Sequence, residues 1–125
     1  MEQSILSAGI VIYSALREEL ADKVTKVFPV VTSEACLPYV CYNRERLDTL
    51  PHKASSSADT AVISISVFAA TYSESVELAE AVRSALDFKA LSSNGLTIRY
   101  CQLVDAKETW TDDAYVQTLD FSVKV

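Results

Sequence analysis

The sequence predicts an α+β fold: a mostly antiparallel four-stranded sheet with two helices packed on one of its faces. Three observations predict it. In 60–70, TAVISISVFAA, Ile63, Ile65, Val67 and Ala69 fall on one face while Ser64 and Ser66 fall on the other, the pattern of a strand with one face in a core. From Thr71 the period changes: Leu78, Ala79, Val82, Ala85 and Leu86 form a helical stripe, with Glu77, Glu80, Ser84 and Asp87 opposite. Towards the C-terminus Leu119, Phe121, Val123 and Val125 alternate with Thr118, Asp120, Ser122 and Lys124. No parallel crossover pattern appears beyond the central strand and helix, so the strands are expected to pair antiparallel.

Size and composition agree with this. Half of the 125 residues are apolar, enough for one domain spanning residues 1–125 with a real core. Two glycines and three prolines leave ordered elements to fill most of the length.

Taken in order, the first element is a helix of roughly 20 residues. It is traced by Ile5, Gly9, Ile12, Leu16 and Leu20, and widened by Leu6 and Tyr13. Ile10 and Val11 lie off that stripe, so a second apolar face needs cover from a loop or a neighbouring subunit. The run does not read as a targeting signal or a membrane span. Glu2 stands where a basic region would be, and Arg17, Glu18 and Glu19 interrupt it.

Val27 to Thr32 contains Pro29 and reads as an edge strand or an extended lead-in, followed by a turn at 33–36. A strand begins in 37–42, LPYVCY, and runs out through Asn43, Arg44, Glu45 and Arg46, whose charge suits an edge or a projection into solvent. Arg44 and Arg46 share a face by period two, either solvated or in an intersubunit salt bridge. Residues 48–59, DTLPHKASSSAD, form the one long weakly structured segment and carry Pro51, His52 and Lys53.

In the central unit, Thr71 followed three residues later by Glu74 is a capping-box signature for the second helix. Asn94-Gly95 marks a turn. In 96–110, LTIRYCQLVDAKETW, Ile98, Tyr100, Val104 and Ala106 share one face, but Cys101 and Leu103 stand on the other, a mixed pattern. The hairpin turn at Thr111-Asp112-Asp113 lacks glycine, so a tight primed turn is not expected there.

No constellation for catalysis emerges. His52 is the only histidine, in a loop without a carboxylate partner nearby, whereas a general base needs an orienting group on a rigid element. Cys36, Cys41 and His52 match no standard zinc spacing. With Cys101 the cysteines form an odd set without CxxC, which suits small hydrophobes in a reducing compartment. The serines at 55–57 have no nucleophile-elbow setting, no glycine-rich phosphate loop exists, and Asp112 and Asp113 are explained by their turn. The expectation is a non-enzyme with no catalytic residues, no cofactor and no metal. A net charge of −6 disfavours phosphate-backbone binding and adhesion to anionic membranes.

The ordered set LPYVCY, polar loop, VISISVFAATYSESVELAEAVRSALD resembles the small tail-completion (tail-terminator or head–tail joining) proteins of long-tailed bacteriophages and prophages. In that family a PYV-type strand is followed by a strand ending in an aromatic and a tyrosine, then a helix of the form xEAxxLAxAVRxAL. Tyr39, Val40, Phe68, Tyr72, Glu74, Leu78, Ala79, Ala81, Val82, Arg83 and Leu86 stand at the matching places. Ser75 departs, standing where the family often has a small apolar residue. LVDAKETWTDDAYVQTLDFSVKV resembles the family's closing hairpin, so the likeness covers nearly the whole chain.

The resemblance implies a structural role. Such proteins form homo-oligomeric rings, typically hexameric, at the head-proximal end of the tail tube. They end tail polymerisation and contact the tail tube protein and the head–neck connector. The chain is then expected in the virion's tail or neck, after synthesis in the bacterial host cytoplasm. No sequence-specific nucleic acid and no membrane is expected as a partner. The candidate interface residues are Ile10, Val11, Arg44, Arg46, Pro51, His52 and Lys53. The alternative reading is a small cytosolic α+β regulatory module that binds a ligand or peptide, against which the scarcity of glycine argues.

Overall fold

The computed structural model describes residues 8–20, 26–29, 37–48, 60–93, 96–111 and 113–124. The elements run α1 (Ala8–Leu20), β1 (Lys26–Pro29), β2 (Tyr39–Asp48), β3 (Thr60–Ala69), α2 (Tyr72–Leu86), β4 (Leu91–Ser93), β5 (Leu96–Ile98), β6 (Tyr100–Thr111) and β7 (Ala114–Lys124). The main sheet has the order β1-β2-β3-β7-β6, in which only the short edge strand β1 is parallel to its neighbour. The other four strands are antiparallel, as expected. β4 and β5 pair antiparallel in a separate two-stranded sheet that packs beside α1, while the turn expected at 94–95 lies outside the described residues.

The core lies between this sheet and both helices, on one face. β3 and β7 contribute their alternating apolar sets: Ile63, Ile65 and Val67, and Leu119, Phe121 and Val123. Their side chains meet Ile12, Leu16 and Leu20 of α1 and Leu78, Val82 and Leu86 of α2. The opposite sheet face is more polar. There the hydroxyls of Ser66 and Thr118 lie 3.2 Å apart across the strands, and Tyr39 stacks on its partner Phe68 with ring centroids 4.6 Å apart.

β2 explains its own charge pattern. Tyr39 to Tyr42 pair with both β1 and β3, whereas Asn43 to Asp48 pair with β3 alone among the described residues. Charged side chains belong on such a half-edge. The plain period of two assumed for Arg44 and Arg46 is interrupted by a backbone register shift between them, and the Arg46 side chain lies outside the described residues. Arg44 is opposite Ile63 but Arg46 is opposite Val62, neighbours that belong to opposite faces of β3.

Two further shifts correct the sequence reading. The first concerns α1. Val11 is 2 % exposed and belongs to the core, whereas Ile10 is 49 % exposed. α1 packs against α2, against β1 and β2 of the main sheet and against the β4–β5 pair, so it buries a wider arc than one stripe. The second is a bulge in β6 between Leu103 and Asp105. It leaves Val104 exposed and brings Cys101, Leu103 and Ala106 opposite the core residues Val123, Phe121 and Leu119. This resolves the mixed period of 96–110.

The β6–β7 hairpin also closes more tightly than expected, since Thr111 pairs with Ala114 and only two residues connect the strands. Asp113 supplies the positive φ, at 62°, without glycine. Aspartate tolerates this region because its short polar side chain can bond locally.

At the start of α2 the Thr71 side chain accepts a bond from the Glu74 backbone N–H at 3.2 Å, as the capping signature predicts. At its end Asp87, placed on the solvent face by periodicity, is instead a tie between layers. Its Oδ2 accepts from Arg83 Nε at 3.0 Å and its Oδ1 from the Leu103 backbone N–H at 2.9 Å, with the side chain only 8 % exposed. The Asp87→Ala variant orphans the Leu103 N–H beside the bulge and is expected to lose about 1–3 kcal/mol in urea unfolding. Asp87→Asn retains an acceptor for Leu103 and is expected to lose less. Equal losses would show that the backbone bond contributes little.

Candidate functional site

The residues singled out by sequence fall into three groups. Ile10 stands half-exposed on α1, and Arg44 is exposed on β2. Their segments lie side by side, because a Cβ on Gly9 would sit 3.7 Å from the ring of Tyr42. Tyr13 and Tyr42 have centroids 5.9 Å apart, and the Arg17 guanidinium lies 6.0 Å from the centroid of Tyr13. Burial, and then Tyr13, raise the Tyr42 phenol above its ordinary value. Val11 faces inward and leaves this outer surface. Pro51, His52 and Lys53, with the 48–59 loop beyond Asp48, lie outside the described residues, as does the Arg46 side chain.

A second surface was not anticipated. Where β6 and β7 run past the N-terminal end of α2, Tyr72, Glu108, Trp110, Tyr115 and Gln117 line an open cleft of about 250 Å³. Register builds it: Trp110 pairs with Tyr115 and Glu108 with Gln117 on the face that α2 starts to cover. Tyr72 and Tyr115 meet edge to face at 5.9 Å. Trp110 is 58 % exposed, where a core tryptophan would be covered.

A connected polar network joins the residues that line the cleft to the first turn of α2. Gln117 Nε2 donates to Glu108 Oε2 at 2.9 Å and to Ser75 Oγ at 3.3 Å. Ser75 is wholly buried, and its Oγ donates in turn to the Tyr72 carbonyl at 2.7 Å. This is the helix position where the resemblance expected a small apolar residue; a serine fits because the helix carbonyl and Gln117 satisfy it. The Tyr72 hydroxyl donates to Glu108 Oε2 at 2.9 Å. The bonds from Gln117 and then Tyr72 hold the Glu108 carboxyl below its usual value. The same carboxylate raises the Tyr72 phenol. Glu108 therefore carries its charge at neutral pH. The available sequence signal was the only tryptophan, at the end of the polar run AKET and just before a turn.

The remaining chemistry is sparse. Cys101 is buried in the core, and burial, with Asp87 second, pushes its thiol up to about 12. Such a thiol is not a nucleophile at neutral pH. Cys41 is buried too, while Cys36 and His52 lie outside the described residues. Among the described residues no three His, Cys, Asp or Glu side chains gather as metal ligands. Arg99, Tyr100, Gln102, Ser122 and Lys124 line a broad open depression, where the Tyr100 hydroxyl bonds the Gln102 side chain.

Comparison with known proteins identifies the fold and the family. No curated protein matches the sequence. Among solved structures, a chain in the virion of a native gene transfer agent particle has the same fold at 18% identity, with a TM-score of 0.68 and 98% of each chain covered. Another solved chain shares the fold at 14% identity and a TM-score of 0.61, over 94% of each chain. The family described as tail completion protein gp17 matches residues 11–125. The chain therefore belongs to the tail completion protein gp17 family and is a structural protein of the bacteriophage tail.

Proposed function

We propose that this chain forms a homo-oligomeric ring at the head-proximal end of the tail tube, where it ends tail polymerisation and meets the head–neck connector. The observation that carries this reading is the uncovered apolar surface of a tail-completion chain. Ile10 on α1, Phe88 after α2 and Val104 on β6 all stand in solvent when the chain is alone. β6 adds a twelve-residue edge whose outer side has no strand partner among the described residues. Different patches meeting head to tail close a ring, and the family resemblance implies six subunits. Ile10, Arg44, Arg46 and the 48–59 loop with Pro51, His52 and Lys53 are the candidate contacts with subunits, tube or connector. The net charge of −6 suits a lumen through which DNA passes without adhering.

The test is deletion of the gene in the phage or prophage that carries it. Electron microscopy is expected to show filled heads without attached tails, or tails of uncontrolled length. Normal infectious particles from the deletion would end the reading.

A further inference from the structure

We propose that the cleft between Tyr72, Trp110 and Tyr115 receives a basic side chain, an arginine or lysine, presented by a partner protein other than a second copy of this chain. Three features point there. The walls are aromatic: an edge-to-face tyrosine pair, with the indole of Trp110 beside Tyr115 across the hairpin. Aromatic faces around one point attract a cation, most strongly for tryptophan, when it comes within about 6 Å of the ring centroid. The exposed Glu108 carboxylate lines the same cleft. Gln117 and Tyr72 both bond its Oε2, and among the described residues none bonds Oε1, which can accept from an incoming donor. A guanidinium can stack on a ring while donating to a carboxylate, and an ammonium can do so as a point charge.

Size and preorganisation add to this. About 250 Å³ is below the usual range of small-molecule sites, roughly 300–1,000 Å³, and suits one inserted side chain. Glu108 is held in advance through Gln117 and the buried Ser75, so little order is lost when a ligand arrives. Charge decides between partners. A basic partner complements both the Glu108 carboxylate and the net charge of −6, while the ring contacts are left to Ile10, Phe88 and Val104.

The inference rests on the assembly reading only in making the partner a virion protein, and it is tested on the purified chain. Failure here would leave the ring reading standing. Trp110 is the only tryptophan, so its fluorescence reports on the cleft directly. Titration with acetyl-Gly-Arg-Gly-amide is expected to give a saturable change with a Kd of about 1–10 mM, as a single inserted side chain allows. The citrulline analogue, of the same shape but neutral, is expected to give none. Glu108→Gln, with an unchanged melting temperature, is expected to weaken the arginine peptide about two- to fivefold. Equal responses to the two peptides, or an unweakened Glu108→Gln variant, would overturn the cation site. A fluorescence change on concentrating the protein alone would put a second copy in the cleft and overturn the choice of partner.

Discussion

Val82→Asp is expected to abolish the folded state, while Glu80→Ala leaves it nearly unchanged. Val82 is wholly buried at the centre of the α2 stripe, among Ile65, Leu78 and other residues of one core cluster. An aspartate there would place a carboxylate where every neighbour in that cluster is apolar. Burying an unpaired charge costs at least about 4 kcal/mol even after its pKa shifts, against about 5–15 kcal/mol for a typical domain. Glu80, two residues away, is exposed, and its truncation should change stability by no more than about 0.5 kcal/mol. Thermal melts by circular dichroism decide the matter. Equal melting temperatures would mean that α2 presents another face to the sheet.

The second large effect contrasts two aromatic residues of one hairpin. Phe121 on β7 is wholly buried, opposite Ile63 of β3 and Leu103 of β6. Truncation to alanine removes most of a ring from the middle of the sheet's covered face, and Phe121→Ala is expected to cost about 3–5 kcal/mol. Trp110 is larger, yet more than half exposed at the open end of β6. Trp110→Ala is expected to cost less than about 1 kcal/mol. Urea unfolding of both variants reads the difference through the midpoint at constant slope. A Trp110→Ala loss as large as that of Phe121→Ala would make the cleft a piece of the core and remove it as a binding surface. A small loss leaves an exposed tryptophan that the isolated fold does not need, and such residues anchor interfaces.

The division between sequence and structure follows how local each signal is. The strand and helix of the central unit, the Thr71 cap and the last strand were legible because each lies in contiguous residues. A period of two or of 3.6 and a side chain three positions from its partner need no distant neighbour to form. The tail-completion likeness rests on the same stretch, together with the PYV strand before it and the closing hairpin after it. The family match over residues 11–125 agrees with that reading.

What only the tertiary structure decided depends on pairing across the chain. The bulges at Glu45 and Val104 each insert one residue against a partner strand, which moves Arg46 out of the register of Arg44 and brings Cys101 and Leu103 to the core face. A period count cannot see an insertion that exists only relative to another strand. Val11 is buried on a helix that contacts α2, the main sheet and the β4–β5 pair, and Asp87 is a tie because β6 passes beside it. The cleft depends most on this. Tyr72, Glu108, Trp110 and Tyr115 span more than forty residues of sequence and meet only because β6 and β7 extend past the first turn of α2. By itself the sequence determined the two helices and the long strands, the face of α2 and β3 that seeks a core, and the family, but not the separate β4–β5 pair. The fold alone determined which polar and aromatic side chains that core leaves gathered at its edge, because their proximity is set by strand register and not by spacing along the chain.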